Sequence, residues 1–183
     1  VCDQLTLRVP SAQHGWLHIF LAVNATSGKK FACGMHSLTG DANLVAHGKL
    51  RSFVRPQHGD IWIVRLDSLP AHRAHKLSDY LAGEQTQKQL SPPYVHEGVG
   101  LAENVFMWCV PAANGLLLGS PDLGEAHFAT AFFTAIAASD YVSRDGGPSA
   151  NMLYYGRSDW MQSPLMAYGS PSKVLVHPEA RET

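Results

Sequence analysis

Two segments of alternating apolar residues, one on each side of Thr26-Ser27-Gly28, constrain this chain more than anything else in it. Residues 16–24 carry Leu17, Ile19, Leu21 and Val23 at every second position, and residues 29–36 carry Phe31, Cys33 and Met35 likewise. A period of two is that of a strand with one buried face. A three-residue connection with glycine last suits a hairpin, because that position takes a left-handed backbone. Paired around that loop, His18 falls opposite His36 on one face, and Cys33 joins the other, apolar face.

Alternation also places strands over residues 4–9, 50–54 and 61–66, the last two separated by Arg55-Pro56-Gln57-His58-Gly59-Asp60. Ser68-Leu69-Pro70 opens a helix, since proline suits the first turn; Ala74, Leu77 and Leu81 continue it and Gly83 stops it. Residues 85–97 are polar, contain Pro92-Pro93 and read as loop. Residues 102–113 fit a short helix ending near Val110 or a strand, because Pro111 disrupts the interior of a longer helix. Asp122 and Glu125 form a capping-box pattern for a helix over residues 123–141, with Phe128, Phe132, Ala135 and Ile136 as its apolar stripe. A last short strand is expected at residues 173–176. Strands dominate the first third and helices the middle, which predicts an α+β fold with an antiparallel sheet packed against helices. The length, 183 residues, fits a single domain over residues 1–183.

The 14 Lys and Arg nearly cancel the 15 Asp and Glu. Without a basic excess the chain has no general electrostatic reason to bind nucleic acid or an anionic membrane, so neither is expected as a partner. The basic residues between Lys49 and Lys76 (Arg51, Arg55, Arg65 and Arg73) read as a solvated face. No apolar run approaches the ~18 residues of a membrane span. The chain opens Val1-Cys2-Asp3 without Met and shows no signal peptide, which leaves processing, trimming and excision from a longer polypeptide all open. Three cysteines cannot all pair within one chain, and no CxxC spacing suggests a zinc knuckle.

Cys109 is the candidate nucleophile: a cysteine near a helix end or beside a protonated histidine ionises more easily. A lone cysteine flanked, as here, by Trp108 and Val110 is more often a small core residue. His18 as base and His36 as the group that orients it would complete a catalytic triad. Both also fit as partly exposed strand residues, or as a metal pair completed by His14 or a carboxylate. His72 and His75 sit three apart on the expected helix, a spacing that suits one metal or two solvated side chains. Cys2 lies at a terminus expected to be mobile and Cys33 on the buried face, which leaves Cys109 as the reactive thiol. No cofactor and no metal set is assigned. A non-catalytic binding module using Tyr154, Tyr155, Trp160 and Tyr168 is the alternative.

The order of these residues resembles that of circularly permuted papain-like cysteine hydrolases, which include lecithin retinol acyltransferase-like proteins and bacterial amidases. Leu17-His18-Ile19-Phe20-Leu21 and the His36 strand match the early histidine and its partner. Asn104-Val105-Phe106-Met107-Trp108 is similar to an Asn-Cys-x-x-Trp pattern of some bacterial members. The resemblance covers residues 14 to 115 and departs from the pattern at Val105, where the family has its cysteine; Cys109 follows one helical turn later. It implies a soluble thiol-dependent hydrolase or acyl transferase acting on an amide or ester, with bacterial cell-wall peptides as substrate. It also implies a secreted or periplasmic setting and an inhibitor protein as partner.

Overall fold

The computed structural model describes residues 1–91, 100–120, 122–142 and 147–156. Among these residues five strands form one sheet: β1 (Cys2–Thr6), β2 (His18–Val23), β3 (Lys30–Met35), β4 (Ile63–Leu66) and β5 (Gln87–Leu90). Their order is β3-β2-β1-β4-β5. β1, β2 and β3 pair antiparallel, whereas β4 runs parallel to both β1 and β5. The α+β class holds, and the sheet is mixed. Parallel neighbours need crossovers, and helices provide them: α1 (Gly40–His58) links β3 to β4, and α2 (Pro70–Arg73) with α3 (His75–Gly83) links β4 to β5.

Alternation along the strands divides the interior into two apolar clusters. Ile19, Leu21 and Val23 face α4 (Gly100–Leu118) and α5 (Phe128–Tyr141), packing with Val105, Cys109, Phe132 and Ile136. Cys2, Phe20, Ala22, Val64 and Leu66 face α1 and α3, packing with Ala46, Leu50, Leu77 and Leu81. The sheet is therefore covered on both faces. Cys2, expected at a mobile terminus, is a buried residue of β1, and burial pushes its thiol up to about 11.

The hairpin forms with a register one residue away from that expected. Val23 pairs with Lys30 and His18 with Met35. The Asn24 side chain accepts hydrogen bonds from the Thr26 and Ser27 amides, and the Gly28 amide bonds the Asn24 carbonyl at 2.9 Å. That local turn lengthens the connection to residues 25–28, with Gly28 left-handed at φ 71°. A slip of one residue reverses the faces of β3. Cys33 consequently pairs with Phe20, on the His18 face.

Residues 50–54, expected as a strand, lie inside α1; Asn43, Ala46, His47 and Leu50 recur at helical spacing on its buried side. Thr39 caps it through a hydrogen bond from the Ala42 amide, and Gly59 ends it. The helix expected after Pro70 is broken at the extended Ala74, and part of the expected loop after Gly83 is β5. α4 continues through Pro111, which lies on its exposed side. By length and composition α4 could cross a membrane. Glu103, Asn104 and Asn114 conceal this in the sequence, and here one side of the helix packs on α5. The expected helix over residues 123–141 is a 3-10 turn, Glu125–His127, followed by α5; neither has a side-chain cap, so the Asp122–Glu125 box is not made. Phe132 is fully buried. α6 (Ala150–Tyr155) follows, capped by Ser149. The strand expected at residues 173–176, with Trp160 and Tyr168, lies outside the described residues.

Asp140, buried at the end of α5, holds both Lys29 and Lys30 at 2.8 Å and so ties α5 to the hairpin. Two further contacts make direct predictions. A Cβ on Gly34 would sit 1.9 Å from the Trp16 ring, which lies across β3. Gly34→Ala must displace that ring, and denaturant unfolding should show a loss of about 1–3 kcal/mol; an unchanged midpoint would mean that Trp16 does not pack there. His47 is buried against Phe20, with no hydrogen-bond partner for Nε2 among the described residues. Burial, with His72, Lys88 and the N-terminus adding to it, pushes its imidazole down to about 3. The unfolded chain protonates near 6.5 and the folded one does not, so stability falls as pH drops from 6.5 toward 3, by up to about 5 kcal/mol at the limit. His47→Phe should flatten that part of the stability–pH curve; a curve parallel to the wild type would rule His47 out as its source.

Candidate functional site

The residues nominated as a thiol triad are not brought together. Cys109 is buried within α4 on the α5 side of the sheet, where its sulfur lies 4.0 Å from Ser139 Oγ. His18 shares the opposite face with Phe20 and Ala22, and its Nδ1 lies 3.0 Å from Thr6 Oγ1. His36 is exposed beyond the end of β3. His14 stacks on Trp16 with ring centroids 4.2 Å apart. His72 is buried, whereas His75 is exposed on the next helix. A sheet layer thus stands between the thiol and its expected base.

Three other acidic residues are drawn toward one place. Asp3 sits on β1, the central strand, opposite Leu21 of β2 and therefore on the α4 side. Cys2 pairs with Leu66 across parallel strands, so Asp67, the next residue after β4, comes beside Asp3. Glu103 lies in the first turn of α4, the helix that packs on β1 and β2. Burial pushes the Asp3 carboxyl above its ordinary value, and the negative charges of Asp67 and Glu103 push it further. The Gln4 amide, donating to Asp3 Oδ1 at 2.7 Å, and His72 act in the other direction. Among the described residues no three acidic, histidine or cysteine side chains are gathered tightly enough to enclose an ion. Asp3 thus lies within reach of two like charges, without a closed coordination shell.

Asp67 has the most structured surroundings. Its Oδ1 accepts from His72 Nδ1 and, at 3.4 Å, from the Leu69 amide. His72 Nε2 lies 2.9 Å from Gln4 Nε2, and Gln4 in turn bonds Asn43 Oδ1. Two cavities, of about 480 and 830 Å³, include none of Asp3, Asp67 and Glu103. Asp3, Gln4, Asp67 and Glu103 went unnoticed in the sequence because no local spacing joins residues that lie on a strand, at a strand end and on a helix.

No family model matches this chain, and no curated protein sequence does. Solved structures do. A chain of the simian T-cell lymphotropic virus intasome in complex with PP2A regulatory subunit B56 gamma matches with a TM-score of 0.68 and 13% identity, over 97% of this chain and 58% of that one. This chain therefore spans little more than half of that relative. The catalytic core domain of BIV integrase matches at 0.62 with 17% identity, over 84% of this chain and 90% of its own. The HTLV-2 integrase catalytic core domain in complex with magnesium matches at 0.61 with 14% identity, over 84% and 92%. These likenesses overturn the thiol-dependent amide or ester hydrolase, and with it the papain-like and amidase description. They also overturn the exclusion of nucleic acid, because a near-neutral net charge averages over the surface and says nothing about one local site. None of the three is a papain-like hydrolase; at these identities what is shared is the fold, and that fold is the one found in retroviral integrase catalytic cores.

Proposed function

We propose that this chain carries a divalent-cation-dependent centre for phosphoryl transfer on nucleic acid, built from Asp3, Asp67 and Glu103. The observation that carries the reading is the convergence of these three carboxylates, far apart in sequence, on the central strand of an integrase-like fold. The HTLV-2 neighbour is a magnesium complex. Oxygen-only donors suit Mg²⁺ or Mn²⁺, hard cations that prefer carboxylates and water. Asp3 fits that chemistry, since its anion is disfavoured by burial and by two like charges that a cation would neutralise.

In this reading Asp3 on β1 and Asp67 just past the end of the adjacent parallel strand β4 would hold the ion from the sheet, and Glu103 of α4 would complete the set. A cation bound there supplies Lewis acidity to a phosphodiester and offsets the charge that develops on it. The protein's own part is to fix the acids. β1 and β4 set the spacing of the two aspartates, and His72 and the Leu69 amide bond Oδ1 of Asp67, so that Oδ2 is the oxygen we assign to the ligand. The net charge of −1 offers no long-range attraction to nucleic acid, so recognition rests on the site and its ion.

Cleavage or strand transfer on a labelled DNA duplex, with Mg²⁺ or Mn²⁺ and with chelator, tests this. Asp3→Asn, Asp67→Asn and Glu103→Gln should each lose several kcal/mol of charge stabilisation, at least ~100-fold in rate. Cys109→Ala should retain the rate. Activity that persists in chelator, or is indifferent to all three acids, sinks the proposal. The metal-free protein offers a second test. A carboxyl raised in the folded state contributes stability only at low pH and loses it as pH rises through the folded value, so at pH 7 the Asp3 charge is a cost. Asp3→Asn should therefore raise the thermal midpoint at pH 7, with the gain shrinking toward pH 4. A lowered midpoint at pH 7 would contradict the repulsion inferred here.

A further inference from the structure

A chain of hydrogen bonds joins the start of α1 to the Asp67 carboxylate, and Gln4 Nε2 is its central donor, giving one proton toward each end. The Thr39 carbonyl can only accept, so Asn43 Nδ2 donates to it, at 3.0 Å. That fixes Asn43 Oδ1 as the acceptor of a bond from Gln4 Nε2. An amide nitrogen only donates, so the same Gln4 Nε2, 2.9 Å from His72 Nε2, makes that ring nitrogen an acceptor. The proton of a neutral imidazole then sits on Nδ1 and is donated to Asp67 Oδ1. Asn43 and His72 are fully buried, and Gln4 Oε1 is buried without a partner among the described residues. Reversing Gln4 would bring two acceptor oxygens together at Asn43, which the Thr39 carbonyl prevents Asn43 from relieving by turning over.

We propose that His72 is a positioning residue for the metal site: held as its Nδ1–H tautomer by the Thr39–Asn43–Gln4 chain, it pins Oδ1 of Asp67 and presents Oδ2 to the cation. The inference rests on the reading of Asp67 as a ligand. It assigns a role to a histidine that is bonded to Asp67 and reached from Gln4 of β1, and that touches neither substrate nor reacting atoms. Partners of this kind orient a metal ligand, and losing one typically lowers metal affinity 10–100-fold.

Side-chain geometry separates positioning from mere filling of a buried space. The amide nitrogen of Asn overlays Nδ1 of His, and that of Gln overlays Nε2. His72→Asn keeps the arm to Asp67, His72→Gln keeps the arm to Gln4, and His72→Phe keeps neither. Titration calorimetry with Mn²⁺ alone should show wild type and His72→Asn within ~3-fold of each other. His72→Gln and His72→Phe should be weaker by ~10–100-fold, with thermal unfolding checking that each variant is folded. In the metal-free wild type, nitrogen-15 spectra of the His72 ring should show a proton on Nδ1, the minority tautomer of a free imidazole. If Asp67→Asn binds Mn²⁺ as wild type does, or wild type binds none, the metal reading fails and takes this inference with it. If Asp67→Asn abolishes binding while His72→Gln and His72→Asn behave alike, or the ring proton sits on Nε2, the inference alone is overturned.

Discussion

Cys2 lies opposite Leu66 across two parallel strands, and both side chains are buried against α1 and α3. That register brings the next residues, Asp3 and Asp67, side by side. A slip of one position would send Asp3 to the α1 face and Cys2 to the α4 face, so packing of the apolar pair and placement of the acid pair are set together. The crossover through α1 is the other half of the arrangement. It returns β4 parallel to β1, with the end of β4 at the middle of the sheet, and places Asn43 where Gln4 can reach it.

Adjacent residues of β1 serve opposite faces. Asp3 faces α4 and the other two acids, while Gln4 faces α1 and carries the donor chain that returns to Asp67 through His72. The central strand thus couples the two helical layers through polar groups where the rest of its length packs apolar side chains. Like charges held near one another and a buried Gln4 Oε1 without a partner among the described residues both work against folding. Local costs of this kind are tolerated where function needs them and are offset by the apolar clusters on either side.

The same layering explains why the thiol reading does not survive. Cys109 and His18 are each accounted for as structural residues, one packed on α5 and the other bonded to Thr6, with the sheet between them. The two cysteines of the sheet are no more available: burial raises both Cys2 and Cys33 away from the thiolate. The face shared by Cys33 and His18 follows from a single side chain, Asn24, whose two hydrogen bonds lengthen the hairpin loop by one residue.

Several features were legible in the sequence. Period-two alternation located β2, β3 and β4, and the stripe through Phe128, Phe132 and Ile136 located α5, because each reports one buried face through neighbours a few residues apart. Residues 50–54 misled because, taken alone, they lack the recurrence at Ala46 and His47 that reveals a helix face. α4 was ambiguous because a proline on an exposed side disrupts little. The sequence by itself determined a layered α+β chain with a hairpin near its start. Only tertiary structure decided the parallel register of β1 and β4, the face taken by Cys33, and the meeting of Asp3, Asp67 and Glu103. Each depends on contacts between residues far apart in the chain, and a local pattern carries no record of which distant strand will become a neighbour.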